Sequence, residues 1–135
     1  MRRRRALGNE HEQTQVSINR VAVILQRMGD KEAALSLYEE GLALDRRLLG
    51  NEHPETLTSI SNVGIVRCMM KRYGEGLPLL REAVAGRRKV QGEDHPETQR
   101  AIRTLERWEQ EQKQEQEQEQ EETMYDRMRK RRRFR

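Results

Sequence analysis

The sequence lacks the features that mark disulfide-bonded, membrane-spanning and secreted proteins. Cys68 is the single cysteine among 135 residues, so an intramolecular disulfide is excluded and nothing indicates an oxidising compartment. No apolar run approaches the roughly 20 residues that a membrane helix needs. The arginines at positions 2–5 are not followed by the apolar core of a signal peptide. We therefore expect no membrane segment and a cytoplasmic protein, with the nucleus as the alternative location.

Apolar residues are scarce as well, and the charges are unevenly distributed. Hydrophobic residues make up 33% of the chain, and only residues 6–108 contain enough of them to bury a small core. The net charge of +4 hides a segregation, because residues 6–105 hold 14 basic and 14 acidic residues. Residues 106–122 are strongly acidic, and residues 123–135 hold 7 basic residues and 1 acidic residue. The high pI therefore comes from the two ends of the chain.

One stretch occurs nearly three times in the sequence. Residues 49–56 read LGNEHPET, and related copies begin at Leu7 and Gln91. The copies are spaced by 42 residues, as seen in Gly8, Gly50 and Gly92, in His11, His53 and His95, and in Thr14, Thr56 and Thr98. A fixed period of this length predicts stacked supersecondary units.

Between these copies the apolar residues fall at helical spacing. In the first unit, one block from Val16 to Leu25 and a second from Leu35 to Leu49 flank a turn signal at residues 29–30. The second block carries two apolar stripes, so its helix must be covered both by its own partner helix and by the next unit. Small residues recur in register where helices are expected to approach closely, namely Ala22 with Gly64, Ala34 with Gly76, and Gly41 with Ala83.

The repeated motif itself predicts a joint between helices. Gly50 is expected to end one helix in a left-handed conformation. Pro54 in the first turn and Glu55 near the positive helix end then favour the start of the next helix. The histidines are interpreted as structural, because stacked repeats space them like rungs and keep them from converging on one ion. We therefore predict no metal site and no cofactor.

Two positions depart from the repeat in the second unit. Lys71 stands where the first unit has Gly29. Pro78 falls early in the second helix of its hairpin, where it removes a backbone hydrogen bond and is expected to bend the helix. The second unit is therefore predicted to be the less regular one.

The third copy of the motif opens only half a repeat. Ile102, Leu105 and Trp108 are expected to cover the second unit as a cap, and no apolar residue follows Trp108 before Met124. The Glu/Gln-rich stretch in between cannot pack a core, but its residues favour helix. We predict a solvated helix that continues from the half repeat and frays towards its end.

The sequence thus predicts an all-α solenoid of helical hairpins, about two and a half repeats long, with a C-terminal Glu/Gln-rich helical extension. Composition divides the chain into a basic arm (1–6), a repeat domain (7–108), a low-complexity segment (109–123) and a basic tail (124–135). The repeat domain comprises repeats 7–48 and 49–90 and the half repeat 91–108.

These residues resemble the tetratricopeptide repeat, in the 42-residue form of kinesin light chains. The first repeat matches the large and small positions of that family with Ile18, Val21, Ala22, Leu25, Gly29, Ala34, Tyr38 and Gly41. The second repeat matches with Ile60, Val63, Gly64, Tyr73, Gly76, Leu80 and Ala83. The motif at 49–56 resembles the lengthened loop between repeats in the kinesin light chain form.

The resemblance implies a protein-protein interaction scaffold that binds a peptide or partner helix in a concave groove. Carried over position by position, the partner-binding residues are Asn19, Arg20, Arg27, Asn62, Arg100, Arg103 and Arg107. The last three form a basic stripe suited to carboxylates, so a protein or peptide partner with acidic groups is expected. The alternative for this stripe is a solvated face that pairs with neighbouring glutamates.

Other functions remain as alternatives. An enzyme is not expected, because no base, nucleophile and oxyanion donor can be assembled, and Cys68 is assigned to the groove or the core. The basic tail could serve as a nuclear localisation signal or bind nucleic acid. Since solenoids usually need about three repeats, the chain could also be a non-autonomous part of a longer array or self-associate through an exposed repeat face.

Overall fold

Five α-helices make up the part of the chain that the structure describes, and no strand occurs within residues 2–133. The structure is a computed structural model that describes the backbone of residues 2–133 and the side chains of residues 10–133. The helices are α1 (Arg2–Arg27), α2 (Lys31–Leu49), α3 (Pro54–Met69), α4 (Tyr73–Gln91) and α5 (Pro96–Arg133). The predicted all-α array of helical hairpins is confirmed.

Each helix packs mainly against its neighbours in sequence, as a solenoid requires. One core cluster joins the two hairpins and consists of Ala22, Ala34, Leu35, Tyr38, Leu42, Leu57, Ile60, Val63, Val66 and Ala83. A second cluster is formed by Cys68, Tyr73, Leu77 and Leu80, with Ile65, Leu105 and Trp108 packed against it. The half repeat therefore caps the second unit as predicted, through Leu105 and Trp108.

The second and third copies of the motif form the predicted joints. Gly50 (φ 83°, ψ 169°) follows the last residue of α2 as its cap, and Gly92 (φ 88°, ψ 163°) does the same for α4. The positive φ was predicted, but ψ is extended instead of left-handed helical, and this combination is essentially restricted to glycine. His53 and His95 cap the next helices, because each Nδ1 accepts a hydrogen bond from the backbone amide two residues later, at 3.2 and 3.1 Å.

The first copy of the motif behaves differently, because residues 7–14 lie inside α1 without a break. The prediction of a helix joint is wrong for this copy. Glu12 takes the place that Pro54 and Pro96 hold in the other copies, and its neighbours Glu10 and Gln13 favour helix. The proline, more than the glycine or the histidine, therefore decides whether the motif starts a new helix.

The second unit keeps its geometry despite Lys71 and Pro78. Lys71 has a φ of 62° and takes the left-handed position that Gly29 takes with a φ of 85° in the first unit. In both turns the next backbone amide donates to a carbonyl five residues earlier, at 2.8 and 2.9 Å. α4 runs for 19 residues through Pro78, as many as α2. The predicted irregularity therefore reduces to the positive φ of one lysine.

Small residues lie at the predicted close contacts. A Cβ atom on Gly64 would lie 2.9 Å from Cδ2 of Leu80, and one on Gly76 would lie 2.8 Å from the carbonyl oxygen of Gly64. Gly41 lies against Gln15, whose Nε2 donates a 2.9 Å hydrogen bond to the Gly41 carbonyl. α3 and α4 thus approach each other at backbone distance, and α1 reaches the backbone of α2 through the Gln15 side chain.

One face of α1 is exposed, although its residues match apolar positions of the repeat. Val21 and Ile24 are 47% and 54% exposed, whereas Val63 and Val66, 42 residues later, are 0% and 1% exposed. The difference arises because α3 packs on the preceding hairpin through α2, and no described helix precedes α1. The apolar pattern predicted helix α1 correctly but not the exposure of this face.

α5 is a single helix of 38 residues that continues through the Glu/Gln-rich segment to Arg133. From Gln116 to Arg133 every side chain is exposed. The predicted helical extension is confirmed over this range, but the predicted fraying is not seen up to Arg133. Residues 134 and 135 of the predicted tail lie outside the described residues. α1 and α5 cross the predicted domain boundaries without a break, so that division remains a prediction from composition.

Candidate functional site

An open cleft of about 320 Å³ lies between α1 and α3. Its lining consists of Glu12, Gln15, Val16, Asn19, Asp45, Glu55, Thr58 and Ser59. The α1 residues recur at helical spacing, α3 faces them, and Asp45 comes from α2. Three of the lining side chains are carboxylates and none is basic, so the cleft is acidic.

Three titratable side chains from three helices meet at this cleft. His11 Nε2 lies 3.0 Å from Asp45 Oδ1 and 3.8 Å from Glu55 Oε2. His11 and Asp45 are buried, whereas about half of the Glu55 side chain is exposed. Ser59 Oγ donates a hydrogen bond to the other Asp45 oxygen, Oδ2. Asp45 thereby links the first three helices at the floor of the cleft.

The equivalent position in the next repeat carries the opposite charge. Arg87 follows Asp45 by 42 residues and is also buried. Its Nη2 donates to Thr58 Oγ1 at 2.7 Å, and its Nη1 donates to Gln91 Oε1 at 3.3 Å. Burial lowers the pKa of Arg87, and the nearby Glu97 carboxylate opposes this effect. The buried charge between successive hairpins therefore changes from acidic to basic along the array.

The structure distributes the predicted partner-binding residues over three helices. Asn19 lines the cleft, Arg20 and Arg27 are exposed on α1 away from its lining, and Asn62 is half-buried on α3. These four residues therefore do not form one continuous patch around the cleft. Their assignment to partner binding remains a prediction.

The predicted basic stripe is exposed on α5. Arg100, Arg103 and Arg107 are all exposed, and Arg100 holds the repeat position that Val16 and Thr58 hold in the cleft lining. Arg100 Nη1 lies 3.5 Å from Glu97 Oε1, and the Arg107 guanidinium lies 5.1 Å from the centre of the Trp108 ring. Both side chains remain open to solvent, so their contacts leave a basic surface in register with the cleft.

Cys68 belongs to the core and not to the groove. It is fully buried beside Gly76, where α3 and α4 approach each other closely. Burial raises the pKa of its thiol to about 11, so the reactive thiolate is disfavoured at neutral pH. Of the two predicted positions for Cys68, the core is the one that the structure supports.

Other hollows on the surface are less suited to a ligand. A hollow of about 260 Å³ on the side of α2 and α4 includes Arg46 and Arg67. Both arginines already pair with glutamates, at 2.9 Å to Glu82 and at 3.0 Å to Glu39. Further hollows along the end of α5 are lined by one helix alone, so they enclose nothing.

Sequence reasoning missed His11, Asp45 and Glu55 as a group. Asp45 follows Leu42 by three residues and precedes Leu49 by four, so a carboxylate interrupts an otherwise apolar stripe of α2. A charge at a core position is the signal that could have identified it. The meeting of His11 with Asp45 depends on α1 being helical across the first motif copy, which the pattern did not predict.

The described helices include none that is both long and apolar enough to cross a membrane. A family model described as tetratricopeptide repeat matches residues 13–70 and 55–130, which together span most of the chain. No curated protein matches the chain significantly. The second match continues into the Glu/Gln-rich part of α5, beyond the half repeat that the motif delimits. The hairpins, their joints and this match together show that the chain belongs to the tetratricopeptide repeat family.

Proposed function

We propose that this protein is a non-catalytic scaffold that binds a peptide or partner helix on its cleft face, the surface to which α1, α3 and α5 contribute. Tetratricopeptide repeats generally mediate protein-protein interaction. The observation that carries the proposal is the open cleft between α1 and α3, with Asn19 in its lining. The 42-residue period further supports assignment to the kinesin light chain-like form.

The charges on the cleft face define what a ligand must carry. The cleft itself presents Glu12 and Glu55, whereas α5 presents Arg100 and Arg103 in the same repeat register. A peptide along this face would place basic or neutral groups at the cleft and carboxylates at α5. We therefore expect acidic groups of the partner only at the α5 end of the cleft face.

Selection from a displayed library of random peptides tests the charge assignment. The full chain is compared with the triple variant Arg100→Glu, Arg103→Glu, Arg107→Glu. The matched control reverses the same number of charges on the exposed end of α5, at Arg131, Arg132 and Arg133. We expect acidic peptides from the full chain and from the control, and their loss from the triple variant. Recovery of the same peptides by all three proteins would contradict the assignment of the basic stripe.

A second pair of variants tests the cleft. Val16→Trp places a large ring in the cleft lining, and Ile24→Trp places the same ring on the outer face of the same helix. Both side chains are exposed, so neither change should disturb the core. We expect Val16→Trp to weaken binding of a selected peptide at least about tenfold, or about 1.4 kcal/mol, by fluorescence anisotropy. Equal affinity of the two variants would place the peptide elsewhere.

The basic end of α5 supports a second proposal, nuclear targeting or nucleic-acid binding by a protein otherwise located in the cytoplasm. Its basic residues from Arg127 to Arg133 are all exposed on a continuous helix. Phosphate contacts of this kind give binding that falls steeply with salt. A salt-dependent gel shift of homopolymeric RNA, lost on deletion of residues 128–135, is the expected result. An unshifted RNA at low salt would remove nucleic-acid binding from consideration.

A further inference from the structure

The group of His11, Asp45 and Glu55 at the cleft floor has the arrangement of a metal site. One potential ligand atom from each residue lies within 4.8 Å of the others. The three residues come from α1, α2 and α3, so a bound ion would join three helices. We propose that these residues bind a divalent transition-metal cation of the zinc class. This proposal does not rest on peptide binding, although a bound ion would reduce the negative charge of the cleft that Asp45 and Glu55 line.

The strongest observation is that buried polar atoms face each other without a hydrogen bond. His11 and Asp45 are 8% and 1% exposed. Although His11 Nε2 and Asp45 Oδ1 are 3.0 Å apart, neither has a hydrogen-bond partner of acceptable geometry among the described residues. A buried polar group that lacks a partner destabilises the folded state. A cation between the two atoms would accept a lone pair from each and remove this cost.

The distances suit a small tetrahedral ion. Zinc binds imidazole nitrogen and carboxylate oxygen at about 2.0–2.2 Å. Tetrahedral angles then separate two ligand atoms by about 3.3–3.6 Å. The observed separations from His11 Nε2 are 3.0 Å to Asp45 and 3.8 Å to Glu55, which bracket this value. Small side-chain adjustments would therefore complete the coordination.

The donor set favours zinc-class metals over the common alternatives. Calcium and magnesium prefer sites made of oxygen ligands alone, whereas copper(I) prefers the thiolates and thioethers that this group lacks. One imidazole and two carboxylates leave a fourth tetrahedral position for water on the side of the open cleft. Because about half of the Glu55 side chain is exposed, an ion could reach the site from solvent at this residue.

The surroundings of Asp45 support a ligand role. Its second oxygen, Oδ2, accepts the hydrogen bond from Ser59 Oγ, which orients Oδ1 towards His11. Ligating carboxylates are commonly held by such outer-shell hydrogen bonds. Ser59 is thus a positioning residue in this proposal.

Comparison within the chain gives an independent reason for a cation here. At the second junction, where α4 of the second hairpin meets α5, the buried Arg87 supplies a positive charge close to Glu97. At the first junction, where α2 of the first hairpin meets α3, the equivalent pair is Asp45 and Glu55, two carboxylates accompanied by His11. A bound divalent cation would supply at the first junction the positive charge that Arg87 builds into the second.

Calorimetric titration of the chelator-treated full chain with Zn²⁺ tests the proposal. We expect one ion per chain, an increased melting temperature with Zn²⁺, and the visible absorption of tetrahedral cobalt when Co²⁺ is used instead. Glu55→Gln should weaken binding at least about tenfold without affecting folding, because Glu55 is partly exposed. Asp45→Asn should also weaken Zn²⁺ binding, and Ser59→Ala should produce a smaller loss of affinity.

Matched controls use equivalent residues of the other repeats. Glu97→Gln changes the carboxylate that corresponds to Glu55, and His53→Asn and His95→Asn change the two capping histidines. These controls should keep the affinity of the unmodified chain. The proposal is overturned if the unmodified chain does not bind Zn²⁺, if Glu55→Gln binds equally well, or if the controls lose binding instead.

Discussion

At the scale of single residues, backbone conformation distinguishes Lys71 from Gly29, its equivalent in the first unit. Lys71 has a φ of 62°, in the left-handed region where side chains other than glycine cost about 1–2 kcal/mol. Gly29 occupies the same position in the first unit without this cost. The turn of the second hairpin is therefore strained, and packing of Tyr73 and Leu77 behind it keeps it in place.

We expect Lys71→Gly to stabilise the protein by about 0.5–1 kcal/mol. The gain is smaller than the strain, because glycine also increases the entropy of the unfolded chain. Urea unfolding measures the change. Lys71→Ala is the control, since it removes the 3.8 Å contact with Glu115 but keeps the strained backbone. A gain of equal size in both variants would show that the side chain, and not the backbone, is responsible.

The glycines at the joints predict the opposite effect. Gly50 has open space around its Cβ position, so Gly50→Ala should destabilise by about 1–3 kcal/mol through its backbone conformation alone. Gly74 also has open space but is helical, so Gly74→Ala should stabilise by about 0.5 kcal/mol. Thermal unfolding of the two variants checks the prediction. The same sign of change in both would contradict it.

Two buried acidic groups make stability depend on pH at the alkaline end. Burial raises the pKa of Cys68 to about 11, and burial together with the Glu115 carboxylate raises the pKa of Tyr73 to about 12. The unfolded chain has values of about 8.5 and 10. The folded state is stabilised because it keeps both groups neutral. This stabilisation is fully present below the pKa values of the unfolded chain and is lost as the pH rises towards the higher pKa values of the folded state.

We therefore expect the free energy of unfolding to fall between about pH 9 and about pH 12. Tyr73→Phe keeps the ring and removes the phenol, so its stability should fall less between about pH 10 and about pH 12. Urea unfolding at a series of pH values gives both curves. Parallel curves for the two proteins would contradict the role of Tyr73.

At the scale of helices, the two ends of the array differ. α5 covers the second hairpin with Leu105 and Trp108, whereas α1 leaves Val21 and Ile24 exposed. Helices of the same repeat type therefore differ in what their apolar faces contribute to stability. The residue types on the two faces are similar, so they do not reveal this difference.

Identical substitutions on α1 and α3 measure how much each apolar face contributes to stability. Ile60→Ala removes a fully buried side chain and should cost about 2–5 kcal/mol. Ile24→Ala removes a side chain that is 54% exposed and should change stability by no more than about 0.5 kcal/mol. Urea unfolding in the same buffer gives both values. A large loss for Ile24→Ala would mean that this face is covered in solution, for example by a second copy of the chain.

A truncation separates the cap from the extension of α5. Every described side chain in residues 120–133 is exposed, so deleting residues 120–135 should change stability by no more than about 0.5 kcal/mol. Trp108→Ala should cost about 2 kcal/mol, less than for a fully buried tryptophan, because Trp108 is half-buried. Thermal unfolding checks both. A large loss on truncation would show that the extension is needed for folding.

At the scale of the whole molecule, the 42-residue register predicted what depends on local sequence. It located the turns near Gly29 and Lys71, the joints at Gly50 and Gly92, and the cap formed by Trp108. The turns and the joints depend on residues close together in the chain, where conformational preferences decide the outcome. The cap was predicted because the apolar pattern of the half repeat ends at Trp108.

The register could not predict features that depend on which helices lie side by side. His11 meets Asp45 only because α1 remains helical across the first motif copy and packs on α2. Val21 is likewise exposed because no helix among the described residues packs on the outer side of α1. Which of the predicted site residues reach the cleft also depends on this packing, because Asn19 lines the cleft whereas Arg20 and Arg27 do not.

The length of α5 separates two electrostatic regions in space. At 1.5 Å per residue, the exposed stretch of residues 116–133 is about 27 Å long, and its basic part begins about 18 Å beyond Glu115. The screening length at physiological ionic strength is about 8 Å, so the field of the basic end has largely decayed before it reaches the cleft face. In the two proposed binding modes, α5 would serve as a spacer. A polyanion held at its far end and a peptide held at the cleft would be bound independently, with neither changing the affinity for the other.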